Sequence, residues 1–216
     1  MIRRTAEEMA FFFVKRGVIE KEDKDVYIYG SELLISEIIC TLLVIGISLC
    51  TGKFIETLIY LFSYMSIRVY AGGYHALSYS NCITIFNLCY VGVMYVMKII
   101  QLLGLLKILV LITFGAIMII WKLAPVEDLR KPLDEEERYI YRKKARKKVL
   151  LLFLFAIIVT RIFPTLKDKV YYGLIAICEI ALLLLVGYIK NRRLIYYRKT
   201  IRVKGVRQEY DNSGSM

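Results

Sequence analysis

The sequence predicts an all-α polytopic membrane protein, with about six transmembrane helices after an amphipathic N-terminal helix. Apolar residues make up 58% of the 216 positions, more than the roughly 45–50% of a typical soluble domain. Charged residues still account for 23%, and the formal net charge is +12. Both fractions can be high only if apolar and charged residues are segregated, as they are when membrane spans alternate with charged loops.

The predicted elements follow this segregation along the chain. Residues 1–25 mix aromatic and charged side chains, which predicts an amphipathic helix at the membrane interface or, equally well, a short soluble cap helix. A membrane domain, 26–189, then contains a charged loop, 122–148, and is followed by a basic tail, 190–216. Its six apolar runs are at about residues 33–50, 54–67, 83–97, 108–121, 149–163 and 170–189.

Basic residues predict the orientation of these spans. Six spans place both termini, the stretch 67–82 and the charged loop on one side. Of the 31 Lys and Arg residues, only Lys53, Lys98, Lys107, Arg161, Lys167 and Lys169 fall on the other side. Because Lys and Arg are retained in the cytoplasm, we expect both termini and the stretch 67–82 to be cytoplasmic. The positive charge thus indicates topology and contact with anionic lipid, and no nucleic-acid-binding motif accompanies it.

The stretch 67–82 interrupts the apolar runs and contains the only histidine, His75, with Cys82 seven residues later. An imidazole can take the proton of a thiol and so create a nucleophile that attacks carbonyl carbons. Residues seven apart on one helix are separated by roughly 10 Å along its axis. We therefore expect the backbone to bend within 78–81, or substrate binding to close the gap. Alone, this spacing also fits an ordinary end of a membrane span.

Other polar residues give weaker indications. The five cysteines form no CxxC pair and there is no second histidine, so we expect neither a metal site nor a cofactor. Glu37 and Glu179 lie inside apolar runs, where carboxylates are uncommon and often functional. They could pair across the bundle, assist translocation of a substrate or be neutral, and the sequence does not distinguish these roles.

Five residues of the stretch form the pattern R-x3-GG-x-H-x6-C, namely Arg68, Gly72, Gly73, His75 and Cys82. This pattern resembles the signature of the AgrB (accessory gene regulator protein B) family, bacterial membrane cysteine endopeptidases that process a quorum-sensing propeptide. The similarity extends to residues 25–30 and, in the central loop, to Ala124-Pro125 and Arg130-Lys131-Pro132. Arg130 departs from the family pattern, in which a small polar residue precedes Lys-Pro.

The resemblance implies roles for these residues. Cys82 would be the nucleophile and His75 its general base, with Arg68, Gly72 and Gly73 supporting activity. The enzyme would cleave an AgrD-like precursor through an acyl-thioester on Cys82, and an internal thiol or hydroxyl would then close a thiolactone or lactone ring. For Arg68 we hypothesise a charge role toward an oxyanion or substrate carboxylates. The family also implies a homodimer in the bacterial cell membrane.

The central loop and the protein as a whole each have an alternative interpretation. Arg130, Lys131 and Pro132 would bind an acidic part of the precursor, whereas the simpler interpretation makes the basic loop an anchor to anionic lipid. The alternative functions are a small six-span peptide transporter or exporter without proteolytic activity, and a structural membrane protein. Replacing Cys82 with serine distinguishes them, because only a peptidase depends on the thiol.

Overall fold

The protein is helical throughout the part of the chain that the computed structural model describes, residues 2–74, 78–127 and 133–213, with side chains as far as Leu194. An N-terminal helix, α1 (Ile2–Lys15), precedes six longer helices. These are α2 (Lys24–Thr51), α3 (Phe54–Ala71), α4 (Tyr79–Leu102), α5 (Leu106–Leu123), α6 (Glu135–Ile162) and α7 (Lys167–Ser213). The predicted all-α fold is confirmed, and each predicted apolar run coincides with one of the six longer helices.

Four of the described helices are long and apolar enough to cross a membrane: α2, α4, α5 and, with the 3-10 turn before it, the first part of α7 as Pro164–Leu194. The helices α3 and α6 form where spans were predicted but are more polar. Glu56 and Arg68 interrupt the apolar surface of α3, and the first half of α6 is densely charged. Together these helices make the chain a polytopic membrane protein.

Local sequence signals set the helix ends. Gly52 adopts a left-handed conformation (φ 66°) that terminates α2, and α3 begins two residues later. At the start of α6, Asp134 Oδ1 accepts a hydrogen bond of 2.7 Å from the Glu137 amide, and the Glu137 carboxylate accepts one from the Asp134 amide. This reciprocal capping box satisfies two amides that would otherwise lack partners. Its acidic side chains also complement the positive end of the helix dipole.

The chain divides into two compact units, of which the first comprises Met1–Ile59 and Ala76–Gly104. In this unit α1 packs against α2, and α2 packs against α4. Ala6 and Ala10 of α1 are fully buried, which confirms an amphipathic helix at the N-terminus. The hydroxyl groups of Thr57 and Tyr90 share a buried hydrogen bond of 2.7 Å.

The second unit comprises Tyr60–His75 and Leu105–Met216, and so contains most of α3 together with α5, α6 and α7. Helix α7 lies at its centre and packs against both α5 and α6. Nearly every residue from Val170 to Ala181 is buried, as expected for a helix that is apolar on all sides. A polar residue on this part of α7 must therefore find its partners inside the protein.

Candidate active site

Cys82 lies in the first turn of α4, in the first unit. Ser78 takes an extended conformation before this helix (φ −128°, ψ 151°), and its hydroxyl accepts a hydrogen bond from the Asn81 amide. The Cys82 amide donates to the Ser78 carbonyl over 3.0 Å. The thiol is free and Cys82 is only partly buried. Cys82 therefore lies at the N-terminal end of α4, which is the positive end of the helix dipole.

The backbone bend expected within 78–81 occurs at the beginning of that range. Helix α3 ends at Ala71 and α4 begins at Tyr79, so residues 79–81 are already helical and Ser78 is the non-helical residue. The reason is local, because Ser78 serves as the N-cap and its side chain replaces a missing backbone partner. His75 lies outside the described residues, so the predicted pairing of its imidazole with the Cys82 thiol stays a prediction.

Arg68 holds the backbone of the second unit just before His75. It lies in the last turn of α3, and its guanidinium donates one hydrogen bond to the Gly72 carbonyl and another, of 2.6 Å, to the Tyr74 carbonyl. The planar fork of an arginine can reach two acceptors at once, which a lysine ammonium does not reproduce in the same geometry. The described hydrogen bonds of Arg68 thus go to backbone carbonyls of the turn. They favour a positioning role for Arg68 in addition to the charge role that we hypothesised.

The two glycines of the pattern occupy positions where a side chain does not fit. Gly72 (φ 68°) and Gly73 (φ 125°) both have positive φ, which L-residues adopt at a cost. A Cβ atom on Gly72 would collide with the Val126 carbonyl oxygen, and one on Gly73 would collide with the Arg68 guanidinium. Both glycines are therefore required for the close approach of chain segments, as well as for the turn.

A segment of the central loop pairs with this turn. The Gly73 amide donates to the Val126 carbonyl, and the Val126 amide donates to the Ala71 carbonyl, both over 2.9 Å. These two bonds form a short parallel bridge between Gly72 and Val126. The Ala124-Pro125 motif, whose peptide bond is cis, thus leads directly into the residue that holds the turn.

Helix α7 contacts the same turn from another side. The Tyr74 amide donates a hydrogen bond of 3.0 Å to the Leu183 carbonyl. One turn further on, Gly187 lies so close that a Cβ atom there would be 2.7 Å from the Tyr74 nitrogen and 2.8 Å from the Gly73 carbonyl carbon. Sequence reasoning missed Gly187. Its signal was a glycine inside an otherwise leucine-rich span, a position at which glycine often permits close packing of backbones.

Glu179, which the sequence singled out without a role, is buried and hydrogen-bonded. The Tyr60 hydroxyl donates to Glu179 Oε2 over 2.7 Å, and both residues are at least nine-tenths buried. Glu179 Oε1 is buried without a hydrogen-bond partner among the described residues. Glu37, by contrast, lies on an exposed face of α2 in the first unit.

The Glu127 carboxylate links the residues on the two sides of the central-loop segment 128–132. Arg130, Lys131 and Pro132 lie outside the described residues, but the residues on each side are described. Glu127 Oε2 accepts a hydrogen bond of 3.2 Å from the Leu133 amide, and Oε1 accepts one of 2.6 Å from Arg138 Nε. This hydrogen bond and the negative charge of Glu127 raise the pKa of the Arg138 guanidinium above its usual value. On the other side, Asn191 of α7 donates to the Glu127 carbonyl over 2.8 Å.

The described residues contain no cluster of three or more His, Cys, Asp or Glu side chains that could hold a metal ion. The groups gathered around the turn are instead an arginine, backbone amides and carbonyls, and two glycines. These groups can fix the backbone that leads into His75.

Comparison with known proteins identifies the family. The chain matches the family described as Accessory gene regulator B over residues 6–191. The chain belongs to the AgrB family. That range contains every site residue predicted from the sequence, including His75 and Cys82.

Curated relatives agree with this assignment. A protein of Clostridium perfringens (strain SM101) is 30% identical over 146 residues, which cover 63% of this chain and 66% of the relative. A protein of Listeria monocytogenes serovar 1/2a is 31% identical over 158 residues, which cover 71% of this chain and 75% of the relative. Both are named "Putative AgrB-like protein". The aligned part is slightly less than two thirds of the Clostridium protein, and no solved structure matches the chain.

The AgrB family belongs to the accessory gene regulator system, is known for peptidase activity in quorum-sensing peptide processing, and works with an AgrD-like propeptide.

Proposed function

We propose that this chain is a membrane cysteine endopeptidase that cleaves an AgrD-like propeptide and promotes its cyclisation to an autoinducing peptide. The observation that carries the proposal is the family match over residues 6–191, which includes the ordered pattern from Arg68 to Cys82. The free and partly accessible thiol of Cys82, in the first turn of α4, supports its role as the nucleophile.

The reaction proceeds in two acyl transfers. In the first, His75 takes the thiol proton, and the Cys82 sulfur attacks the carbonyl carbon of the scissile peptide bond. The carbon–nitrogen bond breaks, a thioester forms on Cys82, and His75 returns the proton to the leaving amine. In the second, a thiol or hydroxyl within the bound peptide attacks the thioester carbon, closes the ring and releases the Cys82 thiol. Neither step needs an oxidant, a reductant or a metal.

A thioester is suited to this sequence because it retains much of the acylating power that the cleaved amide bond supplied. Exclusion of water from the site would favour the internal nucleophile over hydrolysis. The two hydrogen bonds from Arg68 and the bridge between Gly72 and Val126 fix the backbone next to His75. In this proposal, a fixed backbone before the general base reduces the ordering that proton transfer requires.

The central loop and α6 provide the surfaces for the proposed partners. We assign Arg130, Lys131 and Pro132 to an acidic part of the precursor. The basic half of α6 faces anionic lipid in this proposal. Its Arg146 stacks over the Trp121 ring at 4.9 Å and donates to the Trp121 carbonyl over 2.8 Å. An arginine and a tryptophan held together in this way are typical of a membrane interface.

The proposal places both termini and the stretch 67–82 in the cytoplasm, and it includes a homodimer. The uneven distribution of Lys and Arg supports this topology. Fusions of alkaline phosphatase, which is active only outside the cytoplasm, test it. Fusions after Lys53 and Lys107 should be active and a fusion at the C-terminus inactive, and the opposite pattern would contradict the topology. Chemical cross-linking of the protein in its membrane tests for the dimer.

Co-expression with the precursor tests the chemistry. Mass spectrometry of the wild-type protein should find an acyl adduct on Cys82 that hydroxylamine removes, whereas the variants His75→Ala and Cys82→Ala should lack it. Cys89→Ala is a matched control, because Cys89 is a partly buried cysteine on the same helix. Cleavage that survives Cys82→Ala would refute the dyad. A Cys82→Ser variant that still moves intact precursor would instead favour the exporter.

A further inference from the structure

We propose that Gly187 of α7 is a positioning residue for this reaction, because its missing side chain lets the backbone of Gly73 and Tyr74 lie directly on α7. This inference deepens the proposed peptidase function and rests on it. Gly187 belongs to none of the motifs that the sequence singled out, and it lies more than a hundred positions from His75 in the chain.

The first argument is steric. A Cβ atom on Gly187 would be 2.7 Å from the Tyr74 nitrogen, 2.8 Å from the Gly73 carbonyl carbon and 3.2 Å from the Gly73 oxygen. All three neighbours are backbone atoms, so no side-chain rotation can relieve the contact. Gly187 itself has an ordinary helical conformation within α7. The helical conformation itself does not require a glycine here. The close approach of the Gly73 and Tyr74 backbone therefore explains the glycine at this position.

The second argument comes from the rest of this face of α7. Glu179, Leu183, Gly187 and Asn191 follow at intervals of four residues, so they lie along one side of the helix. The first three contact the segment that carries the turn, and Asn191 contacts the central-loop segment that bridges to it. Glu179 accepts from Tyr60, the Leu183 carbonyl accepts from the Tyr74 amide, and Asn191 donates to the Glu127 carbonyl. Along α7, Gly187 lies between the hydrogen bonds made by Leu183 and Asn191. These bonds restrict movement of the backbone that packs against Gly187.

The consequence for chemistry follows from the order of the chain. His75 follows Tyr74 directly in the chain, and the Tyr74 backbone is held against α7. A shift of the backbone at Tyr74 is therefore a shift of the residue to which His75 is attached. A general base must come within about 2.6–3.2 Å of the proton that it removes. A displacement of about 1 Å can lower a rate by about a hundredfold. The effect should fall on formation of the thioester and spare the binding of precursor, because the three atoms nearest to the Cβ position of Gly187 all belong to the turn.

The test compares Gly187→Ala with Gly115→Ala in the full-length protein. Gly115 is a helical glycine of α5 in the same unit, and a Cβ atom there meets nothing within 4 Å. Alanine is the better helix former at both positions, so only the steric contact distinguishes the two variants. The measurements are the single-turnover rate at which the acyl-thioester on Cys82 forms, the KM for the precursor, and thermal unfolding.

We expect Gly187→Ala to lower the rate of thioester formation by about a hundredfold, with KM and the unfolding temperature close to wild type. Gly115→Ala should stay within about twofold of wild type in all three measurements. Equal thioester rates in the two glycine variants would overturn the inference. A drop in unfolding temperature that accounts for the lost rate would also overturn it, because the role would then be structural only.

Asn191→Ala keeps the inference testable if the Gly187 variant does not accumulate. It removes the hydrogen bond to Glu127 beside the bridge at Val126, without adding any atom. The thioester rate should fall about tenfold, as for the loss of one hydrogen bond, and an unchanged rate would count against the inference. Failure of the proposed function itself looks different, because wild-type protein would then leave the precursor intact or would cut it without Cys82.

Discussion

The Tyr60 hydroxyl of α3 donates a hydrogen bond of 2.7 Å to Glu179 of α7, and both side chains are buried in a unit made largely of apolar helices. A buried carboxylate is costly unless it has partners. Here the described partner is the Tyr60 hydroxyl on Oε2, and Oε1 has no hydrogen-bond partner among the described residues. The contact links the helix that carries Arg68 to the helix that supports the turn before His75.

Removing the Tyr60 hydroxyl should destabilise the protein. Tyr60→Phe leaves the Glu179 carboxylate buried without its donor, and we expect the free energy of unfolding to fall by about 1–3 kcal/mol. Thermal or denaturant unfolding of the detergent-solubilised protein measures this change. Tyr95→Phe is the control, because Tyr95 is largely exposed on α4 and its replacement should leave stability unchanged. Equal stabilities of the two variants would show that the buried hydrogen bond contributes nothing.

Replacing Arg68 with lysine should reduce activity even though the charge is kept. Lysine cannot donate to the Gly72 and Tyr74 carbonyls in the same forked geometry. Loss of one or both hydrogen bonds should lower the rate of thioester formation by about tenfold to a hundredfold. The rate is measured with Arg142→Lys as the control, since Arg142 is exposed on α6. Wild-type activity in Arg68→Lys would leave only a charge role for this residue.

Gly73→Ala should disrupt the backbone conformation of the turn before His75. A positive φ costs an alanine about 1–2 kcal/mol, and its Cβ atom would also collide with the Arg68 guanidinium. We expect loss of the thioester adduct in mass spectrometry of the co-expressed protein. Gly92→Ala, on α4, adds the same methyl group where no atom lies within 4 Å, and it should retain the adduct. Adduct formation by the Gly73 variant would refute the geometric requirement.

Glu127→Gln should weaken binding of the precursor more than it slows the chemistry. The change removes the charge that pairs with Arg138 and loosens the base of the loop that carries Arg130, Lys131 and Pro132. We expect the KM for the precursor to rise about tenfold, as for the loss of a partly buried charged hydrogen bond, with a nearly unchanged maximal rate. Glu135→Gln is the control, because its side chain is 97% exposed although it also lies near Arg138. An unchanged KM would argue against substrate binding by this loop.

Much of the fold could be predicted from the sequence because a bilayer restricts the choices. Backbone polar groups in hydrocarbon must be satisfied within the span, so long apolar runs become helices. Helices α2 to α7 accordingly coincide with the six predicted runs. The sequence did not show that the chain would divide within α3, between Ile59 and Tyr60.

The candidate site was predictable only in part. Arg68, Gly72, Gly73, His75 and Cys82 are close in sequence and form a pattern that resembles a known family, so sequence alone singled them out. Their roles stay predictions, and His75 lies outside the described residues. The expected bend was found at Ser78 because an N-cap residue is a local signal. Val126 carried no such signal, and Gly187 was marked only as a glycine inside a leucine-rich span, since each acts through a partner distant in the chain.

The sequence by itself determined the all-α membrane architecture, the family and the residues proposed for chemistry, because hydrophobic runs and short motifs are local properties of the chain. Only the tertiary structure decided that Val126 bridges to Gly72, that Glu179 pairs with Tyr60 and that Gly187 supports Tyr74. Those contacts join residues separated by about fifty to more than a hundred positions. They depend on how α3, the central loop and α7 pack together, and packing is a property of the whole unit.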